Sequence, residues 1–598
     1  MTRRVARIRK TDYGTIVLHW SLVGALVVAI LTGLRIATEV PDRTWINVLD
    51  AVLPASTVWS GHLPAAIVLV TVSIAYAVYM RLSGLGHRIR LDRARLAGLL
   101  GSRQTRWGAV NVLLYWLFYA VLLAELSTGI ALYLGSASSA LVDIHWLGMW
   151  LILGYAVLHV LAHFALGGQQ QLLRLFRPAR IMPVAPPFDP ADLLALLDRP
   201  GTSTGAARRS PAAPPRRRPL LRSVPFVGAV GLAVVGVTVL VAVERQTEDR
   251  LVIRRIAKGD APVLDGDSSD PIWRTARPVR VLTEQGGNFD GKGETSVEIR
   301  AVNDGVWAYF LFVWEDPTRS LKQLPLMKGG DGWHLLHDGF EAGDEHAYSE
   351  DKFSVLFTTS DAVLAGDQTF HAGRTPVAGS PSTLSGRGLH YTPSEGIHVD
   401  VWQWKATSSG GQGWLDDSYF GPPARPTAAQ IAGVTPYRGG FAPDPGTSNY
   451  DDNFDPRPSG SYGQAMTPRR LPKDFRATMA ALGQIDLDPN HSDSDGSRWF
   501  LAESDSVPYS RALDDQIPTG AIIPGVIISG EYSGDRADVR CAARWAGGRW
   551  VLEAARRLDT GSPYDIPIAA GTSMRVAAFD HAQIRHTRHV RPIRLEVE

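Results

Sequence analysis

The chain has 598 residues, with 61 Lys and Arg against 59 Asp and Glu and a formal net charge of +2. That length is too great for one compact domain, and so even a balance gives no footprint for nucleic acid. The single cysteine, Cys541, excludes an intramolecular disulfide, a CxxC metal site, an iron–sulfur cluster and covalent haem attachment through CxxCH.

In chain order, a basic N-terminus of residues 1–12, "MTRRVARIRK" and two more, precedes five apolar runs. They lie at 13–36, 58–80, 108–134, 145–168 and 222–244, each reaching the roughly 20 residues that a bilayer requires. The loop at 81–106 carries Arg81, Arg88, Arg90, Arg93, Arg95, Arg103 and Arg106, and the connector at 169–221 ends in "PPRRRP". The 37–57 loop has Glu39, Asp42 and Asp50 against Arg43. Positive charge collects on the cytoplasmic side. All three basic segments meet that rule when the N-terminus is cytoplasmic, so residues 245–598 are expected in the periplasm of an inner-membrane protein. The first run is longer than a signal-peptide core, lacks an A-x-A site and contains His19, which makes it a retained anchor. The 169–221 connector has the Pro, Gly, Ser and Arg content of a linker.

Ionisable side chains inside a membrane are functional by default, because leaving them unpaired is costly. His19 falls in the cytoplasmic half of span one, and His62 opens span two on the outer side. His145 opens span four, also on the outer side, and His159 follows fourteen residues later. Fourteen residues of helix rise about 21 Å in nearly four turns, so His145 and His159 share a face at two depths. The depths pair His62 with His145 and His19 with His159, each pair suited to clamp a haem iron between neutral imidazoles. His163 has a good phase as well. It lies about 27 Å from His145, almost in the headgroups, and is left to a propionate, a quinone site or the interface.

These residues resemble the bacterial cytochrome b561 and nickel-hydrogenase cytochrome b family. The matching features are "HW" in span one followed by "TGLRIA", the histidine opening span two, and the histidine pair of span four. The resemblance covers 13–168 and implies a four-helix, di-haem quinone oxidoreductase, with the span at 222–244 added as a tether.

From 245 onward the pattern becomes one of strands. "TSVEIRAVNDGVWAYFLFVWEDPT" alternates around Asn303-Asp304-Gly305, and "ADVRCAARWAGGRWVLEAARRL" around Gly547-Gly548, both hairpin signatures. "DKFSVLFT" and "IHVDVWQWKA" add strands, and a β-sandwich with long loops is the expected class. "LDGDSSDPIWRTA", "WAYFLFVWEDPTRS", "YSEDKFSVLF", "VDVWQWKA" and "GGRWVLEAARRL" resemble, in order, the haem-binding subunit of ethylbenzene dehydrogenase and its relatives. That resemblance covers 262–598 and implies one b haem between a Met and a Lys. The Met expected before "VDVWQWKA" is absent and His390 stands there. Near the Lys position the chain reads "HAQIRHTRHVRPIRLEVE". An outer haem between His390 and His589 is therefore expected. His581 and His586 are rivals to His589, and Met327 and Lys405 are fallback ligands.

Neither "NHSDSDGSRW" nor "NYDDNFDP" has a calcium-loop ligand pattern. The tryptophans of "WQW" read as core or pocket wall. No G-x-S-x-G, Walker A, G-x-G-x-x-G or HExxH motif is present, so no catalytic residue is assigned. The expected function is electron transfer between the quinone pool and a periplasmic redox partner, through two membrane haems and one outer haem. The rival readings are a haem reductase of a small oxidant, and a di-haem quinone cytochrome fused to a ligand-binding or sensory sandwich.

Overall fold

The computed structural model describes residues 11–37, 41–49, 52–54, 58–133, 139–179, 223–247, 249–359, 377–381, 389–392, 398–458, 460–589 and 591–598. The basic segment 1–10 and most of the 169–221 connector lie outside them. The chain divides into two compact units, Met1–Ile30 with Gly61–Gln246 and Leu31–Ser60 with Thr247–Glu598.

Five helices dominate the first part: α1 (Tyr13–Ala37), α2 (Val58–Leu82), α3 (Arg103–Tyr133), α4 (Ser139–Leu172) and α5 (Val224–Thr247). All five are long and apolar enough to cross a membrane, where only a helix satisfies its own backbone. Side chains such as Val157, Leu161 and Val234 are more than half exposed; a bilayer supplies the apolar surroundings they need. Asp12 caps α1, accepting from Thr15 N at 2.8 Å and from the Tyr79 hydroxyl at 2.8 Å. Gly14 makes room for that phenol: a Cβ there would stand 2.3 Å from Tyr79 Cζ. α4 breaks at Gly167 and Gly168, the latter at φ +62°, a backbone that glycine adopts without strain.

The second unit is built on one twelve-stranded sheet. Its strands are β1 (Arg250–Arg255), β2 (Val279–Thr283), β3 (Thr295–Asn303), β4 (Trp307–Glu315), β5 (Lys352–Thr358) and β6 (Val399–Lys405). They continue with β7 (Asp416–Phe420), β8 (Phe441–Pro443), β9 (Arg540–Trp545), β10 (Arg549–Arg557), β11 (Ser573–Phe579) and β12 (Ile593–Val597). The hydrogen-bonded order is β8-β7-β6-β5-β11-β12-β1-β3-β4-β10-β9, with β2 on β3.

Both sequence hairpins form. β3 pairs with β4 from Asn303↔Ala308, and the Asp304 carboxylate accepts from Val306 N and Trp307 N to close the turn. β9 pairs with β10 from Trp545↔Trp550, with Gly547 and Gly548 both at positive φ as a two-residue turn demands. Four strands lie between β4 and β5 in the sheet order, yet the Phe312 and Phe353 rings stand 5.1 Å apart and those of Trp314 and Phe353 4.5 Å apart. The sheet therefore curls over and faces itself as a sandwich, with Phe310, Phe312, Phe357, Trp402 and Trp404 in its core. The "WQW" tryptophans are core residues, each at most 1% exposed.

Candidate functional site

His19 on α1 and His159 on α4 face each other, with ring centres 6.5 Å apart and planes tilted by 35°. Two imidazoles on one metal, each with a metal–nitrogen distance of about 2 Å, set their ring centres about 6 Å apart. The observed separation is close to that value. The Tyr155 hydroxyl stands 3.4 Å from His159 Nδ1, which leaves Nε2 for a metal.

His62 on α2 and His145 on α4 are the residues expected to form the second pair, and the Ala29 carbonyl accepts a hydrogen bond from His62. His145 Nδ1 lies 2.9 Å from Thr128 Oγ1 and 3.2 Å from Glu125 Oε2, so its Nε2 too is left for a metal. Two glycines shape this end. A Cβ on Gly129 would stand 3.3 Å from His145 Cε1, and one on Gly148 would stand 1.7 Å from Glu125 Oε1. Sequence reading missed Glu125 and Thr128. A carboxyl inside an apolar run was the available signal.

His163 is engaged differently. Its Nε2 meets the Tyr115 hydroxyl at 2.8 Å and its Nδ1 meets Gln171 Nε2 at 3.2 Å. Its ring packs edge-on against His159 at 4.6 Å. Tyr115 and Gln171, also missed from sequence, complete a polar cluster beside the His19–His159 pair.

The outer histidines are each held by their own surroundings. The backbone of His390 bridges Gly439, next to β8, and its ring lies 5.7 Å from that of Phe420 and 6.0 Å from that of Phe441. His589, in the segment between β11 and β12, packs against β11: its Nε2 accepts from Val576 N at 3.0 Å and its Nδ1 meets the Arg591 carbonyl at 2.6 Å. Both nitrogens of His589 are thus committed to backbone, which leaves it none for the iron that the expected pairing with His390 requires. His581 Nδ1 is held by Asp580 at 2.5 Å, and His586 Nδ1 faces the Thr587 carbonyl at 2.9 Å.

The fallback ligands fare no better. Lys405 Nζ lies 2.8 Å from Asp416 Oδ2 and 2.5 Å from the Tyr450 hydroxyl. Burial works against the ammonium, but Asp416 and Tyr450 outweigh it and hold Lys405 charged above its usual range. Met327 lies in a separate strand at 326–328, paired with Ile522. Of the side chains expected to hold an outer haem, His589 and Lys405 already have their nitrogens engaged by the protein.

What the outer unit does present is a cavity of about 390 Å³ lined by Trp404, Trp499, Trp545, Trp550, Arg319 and Arg498, among others. None of its lining residues is His, Met, Cys or Lys. The "NHSDSDGSRW" segment beside it is structural, because Asp493 is buried and accepts from Leu321 N at 2.7 Å and Lys322 Nζ at 2.8 Å.

Comparison with known proteins gives two family matches. Residues 10–177 match the model described as prokaryotic cytochrome b561, and residues 270–591 the model described as ethylbenzene dehydrogenase. No curated protein matches. Among solved structures, a family 9 carbohydrate-binding module from Caldicellulosiruptor kristjanssonii in complex with glucose is similar at 8% identity and a TM-score of 0.21. The match covers 58% of this chain and 95% of that one.

Proposed function

The chain belongs to the ethylbenzene dehydrogenase family and its membrane part is a b-type cytochrome of electron transfer, and from that premise we propose a quinone-linked conduit with two haems in the membrane. His19 with His159 would hold one haem, and His62 with His145 the other. The observation that carries this reading is the 6.5 Å separation of the His19 and His159 rings, the room that an iron between them needs. Bound there, haem supplies one-electron exchange between ferric and ferrous iron.

The protein's own residues hold and tune. Tyr155 fixes the His159 ring through Nδ1, and Thr128 with Glu125 does the same for His145. Such partners of a ligating histidine set its orientation and its basicity. Tyr115, His163 and Gln171 offer hydrogen-bonding groups to a quinone headgroup next to the first pair and can pass a proton along Tyr115–His163. With the N-terminus cytoplasmic, the outer unit would meet a periplasmic redox partner at the inner membrane. The conduit is proposed for the two membrane haems alone, since both nitrogens of His589 are engaged by backbone.

The first measurement is haem stoichiometry of the full chain by pyridine haemochrome. Two haems per chain are expected. Three would restore an outer haem, and one or none would overturn the paired-histidine assignment.

A second reading of the outer unit rests on the tryptophan-lined cavity, where Trp404 Nε1 and Trp499 Nε1 are buried donors without acceptors. It makes the sandwich a ligand-binding or sensory module on a di-haem cytochrome. Quenching of tryptophan fluorescence by a bound small molecule, lost on Trp499→Ala, would favour it.

A further inference from the structure

A group of carboxylates lies inside the sandwich. Asp400 is on β6 and Asp417 on β7. Asp417 stands opposite Trp402 in the register, so the two aspartates are diagonal neighbours on the inner face. Asp444 follows β8, and Asp565 lies between β10 and β11. Carboxylate oxygens of Asp400, Asp417 and Asp565 lie within 4.8 Å of one another, and Asp444 is within hydrogen-bonding reach of Asp565. All four residues are at most 6% exposed.

The guanidinium of Arg556 answers part of this charge. Its Nη1 donates to Asp400 Oδ2 at 2.5 Å and lies 3.8 Å from Asp565 Oδ1, while its Nη2 donates to the Ile566 carbonyl. Five oxygens are reached by no donor: Asp400 Oδ1, Asp417 Oδ2, Asp565 Oδ1 and both of Asp444. Leaving such groups buried and unmatched is costly. This much crowded charge calls for a counter-ion.

A second acidic group in the same unit shows what the alternative looks like. Asp316, Asp351 and Asp580 are also close and buried. Their oxygens accept from Thr318 N, Ser320 N, Trp550 Nε1, His581 N, Phe289 N and Thr318 Oγ1, and only Asp316 Oδ2 is left over. The protein satisfies that group by itself. It does not satisfy the one around Asp417.

We propose that Asp400, Asp417, Asp444 and Asp565 bind a calcium ion. The donor set is all oxygen, which suits a hard cation. Calcium accepts many carboxylate oxygens in flexible geometry, whereas magnesium keeps most of its water and zinc prefers histidine and cysteine. Four carboxylates facing one guanidinium come within one charge of neutrality when a dication is added. The ion ties β6 and β7 to the segment after β8 and to the loop between β10 and β11, fastening one end of the sheet.

The test uses the full chain purified in detergent. Elemental analysis after gel filtration should find about one calcium per chain, and EGTA should lower the melting temperature of the outer unit relative to about 1 mM calcium chloride. Asp444→Asn and Asp417→Asn should lose both the ion and the response to EGTA while keeping the full haem content. If Asp417→Asn does not fold, Asp444→Asn decides alone, because Asp444 lies outside the regular strands. Wild-type protein that neither retains calcium nor responds to it would overturn the proposal and leave the carboxyls sharing protons. Variants that keep the ion unchanged would overturn it as well, by placing the calcium elsewhere.

Discussion

The histidines of the membrane unit and those of the sandwich are the same side chain put to opposite uses. In the membrane, His145 and His159 are each steadied at Nδ1 by side chains, Thr128 with Glu125 and Tyr155 respectively. Their other nitrogen is left without a hydrogen bond to these partners. In the sandwich, His589 spends both nitrogens on backbone, at Val576 and Arg591. One arrangement leaves a lone pair open, and the other closes it. Burial and sequence context do not separate these cases; the fate of the second nitrogen does.

The largest effect that can break this comparison is loss of cofactor. His159→Ala or His19→Ala should take the chain from two haems to one, and His62→Ala or His145→Ala should remove the other, each read by pyridine haemochrome. Full haem content in His159→Ala would show that the iron lies elsewhere.

Next comes His589→Ala, expected to leave haem content untouched. It strands Val576 N and opens a cavity, so the outer unit should lose roughly 2–4 kcal/mol in denaturant melts. The same residue sets a pH dependence. Burial first, then the charges of Arg575 and Arg591, lower His589 to about 3, against about 6.5 in an unfolded chain. Its stabilising contribution is full above pH 6.5 and is lost as pH falls toward 3. Melting temperature followed between those limits should fall less steeply in His589→Gln than in wild type.

A smaller shift sharpens the membrane side. Glu125→Gln should keep both haems but raise one midpoint potential, by about 60 mV for each tenfold change in relative ferric and ferrous stability. A redox titration with both potentials unmoved would make Glu125 structural. The smallest effect expected is from Tyr115→Phe. It removes one hydrogen bond to His163, worth about 1 kcal/mol, and should weaken quinol oxidation several-fold through KM while sparing both potentials.

Much of the architecture was legible because the bilayer writes in long strokes. Runs read at 13–36 and 58–80 appear as helices Tyr13–Ala37 and Val58–Leu82. The third and fourth helices begin earlier than the runs at 108–134 and 145–168 suggest, at Arg103 and Ser139, since a helix can continue past the apolar core while hydropathy stops at its edge. The hairpins were legible through Asp304-Gly305 and Gly547-Gly548. The acidic cluster was not. Asp400 and Asp565 lie far apart in sequence, and nothing local to "VDVWQWKA" says that its aspartate and not its valines faces inward beside Asp417. The engagement of both His589 nitrogens by backbone was hidden for a related reason. Motif order located His390 and His589 along the chain but said nothing about the strands between them.

The parallel seam between β1 and β12 has a further consequence for how the molecule is made. Arg250 and Glu596 meet across it at 2.9 Å although they are 346 residues apart, and β12 occupies the middle of the strand order. A nascent chain can form the β3–β4 and β9–β10 hairpins as each emerges, but its two half-sheets stay unjoined until 593–597 has left the ribosome. Pairings of such long sequence separation form slowly. The growing chain meanwhile exposes the open strand edges that invite aggregation. Completion of the sheet therefore waits on the β12 segment, whichever hairpins have formed before it.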